Sequence, residues 1–262
     1  VTGANASAST LAVTGDLNIT GNGGFTVAGG SSSGAGAATL TVSGVVNNSS
    51  TLGTCFVLNG GTKTSVTGTI TGLYTKSGSG TASLGQSASG ASTLTCNGGI
   101  TISGGTFHVA NGGPSTLTVA SGQPLTVSGG TLVGSNTAHV STINANGTTV
   151  VSSGTLTLAN LASATATMNV ADNQTITVSG SGTLNLAVLG SGTLNVGTIT
   201  TSITTTALVL SGGTLNVSSG GTGVLNLYND LNLNSGSLTK TGGGTGTVNF
   251  VARGAAFPAA PH

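Results

Sequence analysis

Gly154-Thr155-Leu156-Thr157-Leu158 carries the rule by which most of this chain is written: a small residue, a Thr, then apolar residues alternating with polar ones. The phrase returns as Gly24-Phe25-Thr26-Val27, Gly105-Thr106-Phe107, Gly130-Thr131-Leu132 and Gly182-Thr183-Leu184. It continues as Gly192-Thr193-Leu194, Gly213-Thr214-Leu215 and Gly236-Ser237-Leu238. Alternation with a period of two marks a strand with one buried face, and Thr116-Leu117-Thr118-Val119 and Thr175-Ile176-Thr177-Val178 obey it as well. The runs are about four or five residues long and end at Gly, Ser or Asn, which are turn residues. No segment holds an amphipathic helical period over three turns, so no helix is expected.

The runs fall into three interleaved series, and a fixed repeat decides architecture before any local argument does. The first passes through Leu94, Leu117, Ile143, Met168, Leu194, Leu215 and Leu238. The second takes Ile100, Leu125, Val150, Ile176, Ile199, Leu225 and Val248, and the third Phe107, Leu132, Leu156, Leu184, Leu208 and Leu231. Three strands and three turns in roughly 24 residues make one coil of a three-sided β-solenoid. Apolar side chains point inward and stack on the next coil, Thr, Ser and Asn point outward, and Gly serves corners that need positive φ. About nine or ten coils are expected, and at about 4.8 Å per coil the rod is about 45 to 50 Å long.

The N-terminal third reads less cleanly. Leu11, Leu17 and Phe25 make one coil, and Leu40 with Val45 begins another. Residues 59–91 offer only Val66, Ile70, Leu73 and Leu84 for a core, so a thin coil and an excursion from the solenoid both remain open. The solenoid is expected over 1–250, and 251–262, with Arg253, Phe257, Pro258 and Pro261, is expected to be a separate tail.

Of 262 residues, 47 are Gly, four are Lys or Arg and three are Asp or Glu. The charged fraction is 3%, against about 25% in ordinary domains. Such a surface offers no electrostatic handle to nucleic acid or anionic lipid and little repulsion between copies. No apolar run approaches the roughly 18 residues of a membrane span. The start at Val1 and the Thr, Ser, Asn and Gly richness suit a processed, extracellular chain.

The Gly-Thr-Leu phrasing, the Ser, Thr and Asn richness and the coil length resemble bacterial surface solenoids, namely autotransporter passengers and filamentous-haemagglutinin-like adhesins. The resemblance covers most of 1–250. It implies a right-handed parallel β-helix displayed outside the cell, in adhesion or surface structure. No membrane-anchoring barrel is recognisable in the chain.

Reactive groups are sparse. Asp16, Asp172 and Asp230 lie in different coils, where turn roles are expected rather than the carboxylate pair of a glycosidase. His108 and His139 sit roughly one coil apart with no third ligand beside them, so no metal, cofactor or catalytic residue is assigned, and an enzyme is not expected. Cys55 and Cys96 are the only cysteines. If 59–91 loops off the coil, a disulfide between them is permitted; if it forms a full coil, they are too far apart.

The outward pairs Thr93/Thr95, Thr116/Thr118, Thr155/Thr157 and Thr175/Thr177 are of the kind found on ice-binding solenoids. They are spread over all three sides, and Asn185, Asn195 and Asn216 replace the second Thr elsewhere. Solenoid ends are rows of unpaired backbone groups that soluble repeat proteins cap, and neither end carries an evident cap. The expected function is therefore a structural one: a homopolymer, an extracellular filament of head-to-tail stacked subunits. Arg253 and Phe257 are the candidate docking residues. A monomeric adhesin that binds a surface glycan is the alternative, followed by an ice-binding protein.

Overall fold

The structure is a computed structural model that describes residues 8–30, 36–61, 64–86, 90–197 and 206–251. Arg253 and Phe257, the candidate docking residues, lie outside the described residues. Every described strand pairs in parallel with its counterpart one coil away, giving one ten-stranded and two nine-stranded sheets. The chain visits the three sheets in turn, so each coil contributes one strand to each, and the described residues hold no helix. This is the expected three-sided solenoid. Nine coils are complete, from coil 1 (Ser9–Val13, Leu17–Ile19, Phe25–Ala28) to coil 9 (Thr222–Leu227, Asp230–Leu233, Ser237–Thr239), and Thr245–Phe250 opens a tenth. Ten strands at about 4.8 Å apart make the first sheet about 43 Å long.

The core is a set of stacked columns, as the alternation requires. In the first sheet Leu94 pairs in register with Leu117, Leu117 with Ile143, and Ile143 with Met168, all fully buried. Phe107, Leu132, Leu156 and Leu184 do the same in the third sheet. At about 25 cal/mol per Å² of apolar surface, this continuous stack is the main force that holds strands as short as three residues together.

Residues 59–91 do contain a full coil, coil 3, with strands Val66–Ile70, Tyr74–Lys76 and Thr81–Leu84. Its core residues are unusual, which hid it. The inward first-sheet position is Gly68, between Leu40 and Leu94, and a Cβ there would meet Leu58 Cδ1 at 2.5 Å and Leu94 Cδ1 at 3.0 Å. The third-sheet position is Ala82, between Phe56 and Phe107. The volume those two small residues leave is filled from the second sheet by Tyr74. Its ring makes edge contacts with Phe56 and Phe107 at centroid distances of 5.4 and 5.6 Å, a geometry aromatic quadrupoles favour.

The interleaved series slip by one strand after residue 196. Leu225 and Val248 belong to the first sheet, Leu208 and Leu231 to the second, and Leu215 and Leu238 to the third. The cause is the connection from Val196 to Ala207 in coil 8, longer than its counterpart from Val170 to Thr175 in coil 7. Ile199, which the repeat placed in the second series, lies outside the described residues. In coil 6 the inward residues are Thr149 and Val151, so Val150 faces out.

Candidate functional surface

The chemistry-bearing residues are scattered. Asp16 accepts a hydrogen bond from the Val45 N–H at 3.0 Å, the turn role expected of it. Asp172 lies in the corner after the first-sheet strand of coil 7, beside Asn173, whose φ of 61° is the only left-handed non-Gly backbone among the described residues. Asp230 begins a second-sheet strand in coil 9. His108 faces out from coil 4 between buried Phe107 and Val109, and partial burial holds its pKa below the usual imidazole value. His139 sits in a corner, and its carbonyl accepts from Ser135 Oγ at 2.7 Å. Among the described residues no three His, Cys, Asp or Glu side chains come together as a metal site would require.

Cys55 and Cys96, the candidate disulfide pair, are both buried and free. Cys55 stands on the third sheet of coil 2 and Cys96 on the first sheet of coil 4, with the whole of coil 3 between. Burial pushes the Cys96 thiol up to about 12. Cys55 belongs to a polar cluster that the sequence reading missed. Asn48 Nδ2 donates to Cys55 Sγ at 3.3 Å and to Tyr74 Oη at 3.2 Å, and the Cys55 thiol donates to the Thr81 carbonyl at 3.2 Å. Lys76 is fully buried one coil above Asn48, and its Nζ donates to the Gly78 carbonyl. Desolvation pulls the Lys76 amine below its ordinary range, with the Cys55 thiol opposing.

The largest organised feature is the outer face of the first sheet. Strand register aligns two columns of outward residues along the rod. One runs from Thr10 without a break to Thr193, is interrupted by Val224, and resumes at Thr247. The other is Ala12, then Thr41, Thr69, Thr95 and Thr118, then Asn from coil 6 through coil 10. The Asn side chains form a ladder: Asn169 donates to Asn144 at 3.1 Å, Asn195 to Asn169 at 2.9 Å, Asn226 to Asn195 and Asn249 to Asn226 at 2.8 Å. Asn144 continues it onto the Thr before it in the same column, donating to Thr118 Oγ1 at 3.4 Å. The two columns are about 6.7 Å apart along the strand and repeat about every 4.8 Å along the rod.

The other two sides are less regular. The second sheet presents one outward column, Thr or Asn from Asn18 to Asn232 except at Val150 and Val209. The third sheet keeps a Thr column from Thr81 to Thr214, but its second column is closed to solvent at Val57, Ser83, Val133 and Thr157 and holds His108 between them. In sequence this array is hard to see, because its pairs Thr39/Thr41 and Thr67/Thr69 stand in the least regular coils and Asn replaces Thr in the later ones. A groove of about 380 Å³ flanks this sheet at the corner of coils 7–10, lined by Gly190, Gly220, Gly221, Gly243 and Gly244 beside Leu189.

No protein-family model, curated protein or solved structure matches this chain. No helix among the described residues is long and apolar enough to cross a membrane.

Proposed function

We propose that this chain is a structural subunit of an extracellular filament, displayed on a bacterial surface and built by head-to-tail stacking of β-solenoids. The observation that supports it is the state of the two end coils. Leu11, Val13, Leu17 and Phe25 occupy core positions in coil 1, yet they are only partly buried. The same holds for Leu231, Leu238 and Val248 at the opposite end, where Phe250 is 69% exposed. Their counterparts in interior coils, Leu94 and Leu117 among them, are fully buried.

A further coil laid on either end would bury those residues and pair the open strand edges, as in cross-β stacking. The described edge strands of the first sheet, Ser9–Val13 and Thr245–Phe250, contain no charge and no Pro, the usual devices that block such pairing. One end differs from the other, so a contact between copies is heterologous and propagates into an open fibre rather than a closed ring. A surface glycan bound along the lateral face belongs to the alternative reading, a monomeric adhesin.

Negative-stain microscopy of the native material tests the proposal. Fibres one solenoid wide and many times about 43 Å long are expected. Isolated rods of single-subunit length at high protein concentration overturn it.

A further inference from the structure

We infer that the outer face of the first sheet binds the surface of crystalline water, and that its paired columns of Thr and Asn are an ice-binding plane. This does not rest on filament formation.

The inward residues of each strand are fixed by the core, but the outward ones are not. The second sheet presents one outward column, with Val150 and Val209 in it, and the second outward column of the third sheet is buried at Val57, Ser83, Val133 and Thr157. On the first sheet, two outward positions per strand hold Thr or Asn almost throughout ten strands, from Thr10 to Asn249. The first sheet is therefore the side that presents two solvated polar columns, a face open to a ligand along its whole length.

The chemistry of the face narrows that ligand. Neither column holds a Lys, Arg, Asp, Glu or His, which removes the attraction that a polyanion, an anionic membrane or a divalent mineral would need. No aromatic side chain stands in either column, so a sugar ring has no stacking platform there. What the face offers is neutral hydroxyl, methyl and carboxamide groups on a rectangular grid of about 4.8 by about 6.7 Å. A grid periodic in two directions matches a partner that is itself periodic in two directions. The oxygen lattice of ice is periodic in two directions at spacings of this order, and water is the neutral partner that both hydroxyls and carboxamides order.

The face is also held rigid. Each Asn from Asn169 to Asn249 donates to the Asn one coil before it, so its carboxamide is fixed before any ligand arrives. Thr has one χ angle of importance and is β-branched, so little rotamer freedom is left to lose. Preorganisation of this kind lowers the entropic cost of binding, which a flat and weakly attractive surface needs.

The test uses the purified chain in an ice-recrystallisation and crystal-shaping assay, with two bulky variants of matched chemistry. Thr167→Tyr raises a ring in the middle of the Thr column between Thr142 and Thr193. Thr126→Tyr does the same on the second sheet. Both positions are outward and half-buried, so both variants are expected to fold, and melting curves confirm it. Wild type and Thr126→Tyr are expected to facet ice crystals and suppress recrystallisation at the same concentration. Thr167→Tyr is expected to need about tenfold more protein, the effect of about 1.4 kcal/mol. Folded wild-type protein that neither shapes ice nor slows recrystallisation overturns the inference, and so does an equal loss in both variants.

Discussion

At the scale of single residues, inward and outward positions separate sharply. Leu117 is fully buried in the middle of a stack, while Thr118 beside it faces solvent and accepts a hydrogen bond from Asn144. An unpaired carboxylate in the stack costs about 4 kcal/mol, so Leu117→Asp is expected to leave no cooperative thermal transition. Thr118→Asp is expected to shift the midpoint only slightly, and equal damage at both positions would show the register to be off by one residue. The polar cluster of coils 2 and 3 is a different case, because its ionisable groups are already buried. Desolvation lowers the Lys76 pKa, so the unfolded chain binds its proton more tightly than the folded one. Stability then rises with pH across the window below the ordinary lysine value and levels off above it. His108 follows the same sign in the acid range: its lowered pKa means that stability is lost as pH falls below the ordinary imidazole value. Lys76→Met is expected to flatten the alkaline slope without loss of stability, since it removes a buried amine and keeps most of the volume. His108→Gln is expected to flatten the acid slope alone. Urea midpoints measured across pH read both, and an unchanged alkaline slope in Lys76→Met would assign that titration elsewhere.

At the scale of strands and coils, the Asn ladder is the element that most invites measurement. Replacing Asn195 by Ala removes the donor to Asn169 and the acceptor of Asn226. These are half-solvated bonds, so a loss of about 1 kcal/mol is expected by chemical denaturation. No loss at all would mean that water replaces the ladder at no cost. Coil 3 shows why some elements were legible in the sequence and others were not. Coils 4 to 7 keep at least one large apolar residue on the inward face of every strand, so alternation alone placed nearly all their strands. Coil 3 fills its interior by exchange between sheets, with Gly68 and Ala82 making room for Tyr74, and a rule that reads one strand at a time cannot register that. The slip after Val196 has the complementary cause, a connection whose length departs from the repeat while the strands on both sides keep it. The Thr and Asn face depends on register across ten coils, so it emerged only when both irregularities had been resolved.

At the scale of the whole molecule, the proposed filament turns on the two end coils described, whose core residues are only partly buried. The proposed head-to-tail stacking would use two different surfaces, the edge that exposes Leu11 and Leu17 and the edge that exposes Val248 and Phe250. That asymmetry gives a prediction that ordinary aggregation does not share. A Lys at a core position of an end coil retains water on one side, so Leu11→Lys and Val248→Lys are each expected to fold, with a loss of about 1 to 2 kcal/mol. Each puts a desolvated charge into any junction formed at its own end and leaves the other end intact. Either variant alone should therefore sediment as a monomer. An equimolar mixture should give a dimer and nothing longer, because the intact end of one variant meets the intact end of the other and both remaining ends are blocked. Thr126→Lys, outward in an interior coil, should polymerise like wild type. Analytical ultracentrifugation decides it: fibres that persist in Leu11→Lys, or a mixture that stays monomeric, would rule out stacking through these two edges. The dimer would also locate the junction, since a lateral contact between rods cannot be blocked at opposite ends and restored by mixing.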